Sequence, residues 1–206
     1  MPNIEEIIQE MRQRPDLISI IKRLEKEMEE EHKKREAFSN LIHEDMKAEF
    51  INGEVIYHSP VKNKHWSACT NLSAYMTVFV NQHKLGKVGT EKVLIRCTRN
   101  DYEPDIVFFT KEKADKFTPD QMIFPTPDLA VEILSESTKE RDYGIKYQDY
   151  AAHGVSEYWI IDPDNQSIEQ FTLQNGKYEL YQKLVKEGLI KSVAIKGFTI
   201  EISEIF

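Results

Sequence analysis

The sequence predicts a mixed α/β fold (α+β, mixed sheet), in which parallel and antiparallel strands form one sheet flanked by helices. Short apolar runs that are typical of buried strands recur along the chain, as in "PDIVFF" (104–109), "DLAVEILS" (128–135) and "EYWIID" (157–162). Between some of these runs, apolar residues recur at intervals of three and four, which predicts helices. Asn-Gly pairs at 52–53 and 175–176 predict tight hairpin turns and therefore antiparallel strands.

The chain of 206 residues is long enough for one domain with an appendage, but not for two full domains. Its net charge of −8 argues against broad, nonspecific binding to nucleic acid, although a local basic groove remains compatible with that total. No apolar stretch approaches the roughly 18 residues of a membrane span, and the N-terminal segment is acidic where a signal peptide would be basic. We therefore expect a cytoplasmic protein without a membrane partner.

The two cysteines, Cys69 and Cys97, lack the close spacing of a zinc or redox motif. The sequence places one of them in a predicted helix and the other in a predicted strand. Both are therefore expected to be reduced residues of the core.

Residues 1–36 are predicted to form a helical arm outside a domain of residues 37–206. Asn3 is expected to cap a first short helix, and a second helix is expected to open at Pro15. The second helix carries apolar residues at alternating spacings of four and three, which is the seam of a coiled coil and predicts a homo-oligomer. A helix packed on its own domain is the alternative, because the next seam positions are Glu31 and Arg35. The apolar seam consists of Leu17, Ile21, Leu24 and Met28.

The remaining elements follow in chain order. A helix is predicted over Lys64–His83, with Gly86 and Gly89 ending it. Ser137 is expected to cap a further helix, which Gly154 ends in a left-handed conformation. Strands are predicted on both sides of residues 52–53, over 92–97, 104–109, 128–135 and 157–162, and as peripheral antiparallel strands from the hairpin at 175–176 to the C-terminus. The strands at 128–135 and 157–162, joined by a helix, form one predicted parallel crossover unit.

Glu132 stands in the middle of the apolar run of residues 129–134. An ionised carboxylate that is buried without a partner is costly, so Glu132 needs a cation, a metal or a raised pKa. Asp105 offers a second acid in a similar apolar run, although an Asp that follows Pro is also a common turn residue. Two such acids on neighbouring strands would suit Mg²⁺ or Mn²⁺, and the backbone carbonyl of Ile133 would be a third ligand.

Lys146 is the candidate for the positive group that assists a water attacking a phosphodiester. It lies on the helix that follows the Glu132 strand, and such a helix packs back onto the sheet. The alternative is an ordinary helical ion pair with Asp142, four residues earlier.

Four separated motifs, in this order, resemble the Uma family of restriction-endonuclease-like proteins, a branch of the PD-(D/E)XK nuclease superfamily. The motifs are "EFINGEVIYHSP", "YEPDIVFF", "PDLAVEILSEST" and "RDYGIKYQDYAAHGVSEYWIIDP". The resemblance covers roughly residues 38–206. It implies a restriction-endonuclease-like core that cleaves DNA phosphodiester bonds with Mg²⁺, with Asp105 as the first acid and Glu132 as the second.

One departure from the superfamily pattern concerns the lysine. The pattern has Lys two residues after the second acid, where this sequence has Leu134, so the resemblance points to Lys146 on the following helix. Glu54 and His65 also fall on positions that look alike across the family. Glu54 would orient a metal-bound water or Lys146, and His65 would touch phosphate, whereas a hairpin ion pair and a helix-start polar residue are the alternatives.

The sequence thus predicts a Mg²⁺- or Mn²⁺-dependent endonuclease that acts on DNA. Two alternatives stay open. The acidic net charge favours an interaction or assembly protein that retains a nuclease fold without catalysis. Hydrolysis of a smaller phosphoester is the other, since an acidic surface would be no handicap for it.

Overall fold

The computed structural model of the protein describes residues 4–206, so the predicted cap at Asn3 lies outside the described part. The helices are α1 (Ile4–Arg12), α2 (Leu17–Leu41), α3 (Asn63–His83), α4 (Lys111–Ala114), α5 (Lys139–Arg141) and α6 (Tyr147–Ala152), with a π-helical turn at Asp142–Lys146 and a 3₁₀ turn at Ile202–Glu204. The strands are β1 (Ala48–Ile51), β2 (Glu54–Tyr57), β3 (Gly86–Thr90), β4 (Leu94–Arg96), β5 (Asp101–Tyr102), β6 (Ile106–Thr110), β7 (Ile123–Phe124), β8 (Leu129–Ile133), β9 (Glu157–Asp162), β10 (Ser167–Gln174), β11 (Lys177–Val185), β12 (Leu189–Lys191) and β13 (Thr199–Glu201).

The central sheet has six strands in the order β11-β10-β9-β8-β6-β3. Strands β8 and β9 pair in parallel and the other neighbours are antiparallel, so the mixed α/β fold and the crossover unit are both confirmed. Alternate residues of the strands enter two apolar clusters, because successive side chains point to opposite faces. Helix α3 and the C-terminal residues pack on one face, and helix α6 packs on the other.

A second sheet, β2-β1-β5-β4-β7, extends the domain beside the first. Its β1–β2 hairpin turns at Asn52 and Gly53, whose φ angles of 50° and 83° are both left-handed, as the Asn-Gly pair predicts. The hairpin at Asn175 and Gly176 is confirmed in the same way, since it joins β10 to β11 in antiparallel pairing. The C-terminal strands β12 and β13 are antiparallel, as predicted, and supply buried isoleucines to the core.

Two predictions about helix ends were wrong. Helix α3 ends at Lys84 in the left-handed conformation, while Gly86 and Gly89 belong to strand β3. Gly86 is needed there because a Cβ would lie 2.0 Å from the Phe109 carbonyl oxygen. Helix α5 is preceded by Thr138 rather than by Ser137 as its cap.

Helix α2 continues without a break beyond residue 36, the predicted end of the arm. Its last turns pack on the domain, where Phe38 is buried against Phe50. Arg35 forms an ion pair with the buried Asp101, and Glu31 forms one with Arg99. The C-terminal half of α2 is therefore anchored, and the division at residue 36 stays a prediction about domain organisation.

Candidate active site

Lys146 lies at the centre of a buried cluster of charged side chains. Its Nζ is 2.9 Å from Glu49 Oε1 and 3.1 Å from Glu132 Oε1. The same nitrogen is 3.4 Å from Asp142 Oδ1. The hydroxyl of Tyr150 donates a hydrogen bond of 2.7 Å to Glu132 Oε1. One cation thus serves three carboxylates in a region from which water is largely excluded.

A π-helical turn at Asp142–Lys146 places the lysine in this cluster. Its backbone is wider than that of an α-helix, and such turns often occur at functional sites. Asp142, Lys146 and Tyr150 follow one another at intervals of four, so they lie on the same side of the helical segment. Because Lys146 and Tyr150 both reach Glu132, this side faces strand β8.

Asp105 is anchored directly beside the strand that carries Glu132. Its Oδ2 accepts the backbone N–H of Ile133 at 2.8 Å. Strand β6 pairs Ile106 with Val131, and Asp105 directly precedes Ile106. At the end of β8 the Asp105 carboxylate therefore accepts the N–H of Ile133 in place of a backbone carbonyl of β6. His65 Nε2, in the first turn of α3, lies 3.3 Å from the same carboxylate oxygen.

Burial and the mutual effects of the charged groups together shift the pKa values of the cluster. Burial raises the pKa of Glu132 well above its ordinary value, and neighbouring carboxylates add to this rise despite the opposing charge of Lys146. Burial likewise raises the pKa of Asp142. Burial alone would lower the pKa of Lys146, but Glu132, Glu49 and Asp142 outweigh it and hold the pKa well above its ordinary value.

The other acids of the site have lowered pKa values. Burial of Glu49 is outweighed by Lys146 and by His58, which lies 3.5 Å from Glu49 Oε2, so its pKa falls to about 2. Burial of Asp105 is outweighed by His65 and by the Ile133 amide, so its pKa is also lowered. Within this site Glu132 and Asp142 therefore bind a proton more readily than Glu49 and Asp105 do.

The structure brings three predicted residues, Asp105, Glu132 and Lys146, to the same end of strand β8. His65 joins them through Asp105. Glu54 is exposed on β2. Within the described residues, Lys146 forms its ion pairs with Glu49, Glu132 and Asp142 and not with Glu54. The function predicted for each of these residues stays a prediction.

Sequence reasoning missed three members of the cluster: Glu49, Asp142 and Tyr150. Glu49 lies in "AEFI", a strand whose four residues are all buried, and an acid inside such a run carries the same signal as Glu132. Asp142 was recognised only as a helical partner of Lys146. Nothing in the sequence distinguishes Tyr150 from the other tyrosines of its helix.

A second group of possible ligands, Cys97, Asp149 and His153, lies apart from this cluster, with ligand atoms within 4.8 Å of one another. His153 is already bonded, because its Nε2 accepts the N–H of Thr98 at 2.8 Å and its Nδ1 lies 2.8 Å from the Asp149 carbonyl oxygen. Burial raises the pKa of the Cys97 thiol to about 12, so a thiolate ligand is disfavoured. This group holds a turn together.

The residues at the end of β8 fit a hard divalent cation. Carboxylate oxygens of Asp105 and Glu132 are the donors that Mg²⁺ and Mn²⁺ prefer. Glu49, Glu132 and Asp142 all contact the single ammonium of Lys146, so these three carboxylates carry an excess of negative charge when ionised. A bound cation would relieve that excess, so the donor set and the charge both match such a group.

The fold is that of a nuclease-like protein. The chain resembles the crystal structure of a putative nuclease belonging to DUF820 from Anabaena variabilis, with a TM-score of 0.68 and 19% sequence identity, over 82% of this chain and 94% of that one. A family model described as "Uma2: Putative restriction endonuclease" matches residues 12–203. The chain therefore belongs to the Uma2 family, and the match includes the whole of helix α2. No curated protein matches the chain.

No helix within residues 4–206 combines the length and the apolar character that crossing a membrane requires.

Proposed function

We propose that this protein is an endonuclease that hydrolyses phosphodiester bonds of DNA with the help of Mg²⁺ or Mn²⁺. The proposal depends on two contacts that lie at the same end of strand β8. Lys146 bonds Glu132 at 3.1 Å, and Asp105 accepts the amide of the adjacent Ile133 at 2.8 Å. Two acids and a lysine thus converge where strand β8 ends, on a fold shared with a nuclease-like protein.

Asp105 and Glu132 would hold the cation, and the carbonyl of Ile133 is the proposed third ligand. In an extended strand the N–H and the C=O of one residue point to the same side. The Ile133 N–H is bonded to Asp105, so its carbonyl is directed toward that side as well. When bound, the cation would polarise a phosphoryl oxygen and lower the pKa of an attacking water.

Lys146 supplies the fixed positive charge of the site in this proposal. Its raised pKa keeps the ammonium charged at neutral pH, so it stabilises negative charge that develops on the phosphoryl group. Glu49 and Asp142 are positioning residues, since they contact the Lys146 ammonium at 2.9 Å and 3.4 Å. Tyr150 fixes one oxygen of Glu132 through its hydroxyl.

Cleavage of plasmid and oligonucleotide DNA tests this function. We expect cutting with Mg²⁺ or Mn²⁺ and little with Ca²⁺, whose looser coordination positions the attacking water poorly. Glu132→Gln and Asp105→Asn should abolish cutting. Glu54→Gln changes an exposed carboxylate and tests separately whether Glu54 has the function that the family resemblance implies. DNA left uncut by the wild-type protein under all three metals would contradict the proposal. A small phosphodiester substrate distinguishes the remaining hydrolase alternative.

A second candidate function is assembly, and the apolar stripe of α2 favours it. The seam continues along α2, and its later positions Glu31, Arg35 and Phe38 contact the protein's own domain. Its earlier positions project beyond the domain, and Leu24 and Met28 are 46% and 70% exposed. We propose that this projecting half pairs with a second copy of the chain, in a coiled coil that the domain supports because two heptads alone are marginal.

Light scattering on point variants tests the assembly. The wild-type protein should be a dimer, and Leu24→Glu should be a monomer because it places charge in the seam. Val78→Glu alters a residue of α3 that is similarly exposed, at 56%, and should leave the dimer intact. A dimer that persists in the Leu24 variant would assign the arm another task.

The two buried, free cysteines suit a reducing compartment such as the cytoplasm.

A further inference from the structure

The segment of residues 57–66, "YHSPVKNKHW", has no acidic residue although the chain as a whole carries a net charge of −8. It connects strand β2 to helix α3 and includes the first turn of that helix. Its charged side chains are those of Lys62 and Lys64, with two histidines beside them. The segment therefore carries no negative charge of its own.

Two histidines attach this segment to the candidate active site. His58 Nε2 lies 3.5 Å from Glu49 Oε2, and His65 Nε2 lies 3.3 Å from Asp105 Oδ2. His65 is 92% buried, and its second ring nitrogen, Nδ1, has no hydrogen-bond partner within the part of the chain that the structure describes. The segment thus runs beside the acids and offers an unsatisfied polar atom near them.

Each of these histidines is preceded or followed directly by an exposed aromatic residue. Tyr57 is 62% exposed and Trp66 is 54% exposed. Consecutive Cα atoms are about 3.8 Å apart, so the two rings start one residue away from the side chains that contact Glu49 and Asp105. Tyr57 ends β2, which is an edge strand of its sheet. Each exposed ring therefore belongs to the sequence neighbour of a histidine that contacts an acid of the site.

The first turn of α3 adds groups that suit phosphate. The N–H groups at a helix N-terminus attract anions, and no side chain caps this helix. Within residues 4–206 the ammonium of Lys62 has no ion-pair partner, whereas Lys64 is paired with Asp164. Phosphate would meet Lys62 and the free helix end, and the aromatic rings would meet bases.

We propose that residues 57–66 bind an unpaired stretch of DNA, with bases stacked on Tyr57 and Trp66, and that they deliver this single strand to the acids at the end of β8. Exposed aromatic rings beside positive charge are typical of surfaces for single-stranded nucleic acid. In a duplex the bases are already stacked on each other and cannot lie on protein rings. This inference rests on the proposed nuclease function and adds the class of its substrate.

Trp66 gives a direct signal for the binding. The chain has two tryptophans, and Trp159 is completely buried, so a ligand that stacks on the surface should quench the fluorescence of Trp66. The wild-type protein in EDTA, where no metal-dependent cutting occurs, is titrated with a thymidine oligonucleotide, a hairpin duplex and a uridine oligonucleotide. We expect quenching by the thymidine strand and at least tenfold weaker binding of the duplex.

Variants of the two rings provide the quantitative test, with binding followed by anisotropy of a labelled strand. Trp66→Ala and Tyr57→Ala should each weaken binding of the single strand by about fivefold to a hundredfold, as for one lost stacked base. Lys62→Gln should reduce the salt dependence of binding by about one phosphate contact. Tyr181→Ala is the matched control, because Tyr181 lies on β11 and is 61% exposed.

The outcomes separate this inference from the proposed function. DNA cleavage that requires Glu132, together with unchanged binding in the Trp66 and Tyr57 variants, would overturn the inference and leave the nuclease standing. Quenching and ring-dependent binding without any cleavage would leave this surface standing and overturn the nuclease. Equal binding of duplex and single strand would also overturn the inference. Tighter binding of the uridine strand than of the thymidine strand would indicate RNA as the ligand and would overturn the inference, which names DNA.

Discussion

Glu132 and Glu157 lie on adjacent parallel strands of the central sheet, and both are buried in apolar runs. Glu132 stands near the carboxyl end of β8, whereas Glu157 stands at the start of β9, opposite Leu129. The two acids thus occupy opposite ends of the same parallel pair. The sequence argument that a buried acid needs a partner applies to both of them.

The partners of the two carboxylates differ completely. Glu157 accepts hydrogen bonds on both oxygens from neutral donors, and these bonds tie β9 to its neighbours and to the C-terminal segment. The donors are the indole of Trp159, the amide of Gln170, the hydroxyl of Ser192 and the backbone N–H groups of Val193 and Ala194. Glu132 instead shares Lys146 with two further carboxylates, and its pKa is raised by burial.

The comparison teaches that burial alone does not identify a functional acid. A carboxylate with enough donors stabilises the fold, since hydrogen bonds to a charged group contribute about 1.5 to 3 kcal/mol each. A carboxylate that is crowded by others of the same charge costs stability and gains it back when a cation binds. The hydrogen bonds of Glu157 therefore suit a structural acid, whereas the crowded surroundings of Glu132 support the site proposed for it.

Lys146→Ala should have the largest effect, because Lys146 is the shared cation that distinguishes the surroundings of Glu132. Cleavage should fall by roughly 10²- to 10³-fold, as for the loss of one well-placed donor in a transition state. Its removal also leaves three buried carboxylates without their cation, so unfolding should become easier by about 3 to 5 kcal/mol. Single-turnover kinetics below the melting temperature separate the two effects. Full activity in the folded variant would remove Lys146 from the chemistry.

Glu157→Ala should cost stability without a specific effect on catalysis. The substitution leaves several buried donors unpaired, and the free energy of unfolding should fall by about 3 to 5 kcal/mol. Glu157→Gln, which keeps one acceptor oxygen, should lose less. Chemical denaturation measures both values, and cleavage by the folded fraction should match that of the wild type. A variant that stays stable but loses cleavage would break the comparison.

Glu103 extends the comparison to a third buried acid, whose Oε2 has no hydrogen-bond partner within the described residues. Burial raises its pKa to about 7, so the folded state retains a proton that the unfolded state releases at lower pH. Its contribution is therefore fully present below its ordinary pKa and is lost as the pH rises through about 7. Between pH 5 and 7.5 the wild type should lose about 1 to 3 kcal/mol relative to Glu103→Gln. Denaturation curves at several pH values that stay parallel for the two proteins would contradict this.

Much of the fold could be predicted from local patterns. The parallel unit of β8 and β9 is visible as two apolar runs separated by a helix, and both hairpins are marked by Asn-Gly. Strand β3 was missed because "GKVGT" has little of the β-branched or aromatic character of a strand and owes its place to pairing with β6. Such pairing depends on tertiary contacts that a local pattern does not contain.

The candidate site was predictable only where one strand revealed it. Glu132 and Asp105 were found because they interrupt apolar runs, and Lys146 because it lies on the helix after the Glu132 strand, whereas the family resemblance added Glu54 and His65. Glu49 was missed because its strand is only four residues long and its burial comes from β2 and β5 on either side. Glu157, at the edge of its run, was read as the first residue of a strand, and its donors come from distant segments.

Thermal unfolding of the wild-type and Glu132→Gln proteins, with and without Mn²⁺, tests the central claim most directly. Without metal, the variant should be at least as stable as the wild type at neutral pH, because the raised pKa of Glu132 shows that its charged form is disfavoured in the fold. With Mn²⁺, the wild type should gain stability as ligand binding requires, and the variant should gain much less. A Glu132→Gln protein that is strongly destabilised without metal, together with a wild type whose melting temperature does not respond to Mn²⁺, would show that Glu132 is a structural acid like Glu157.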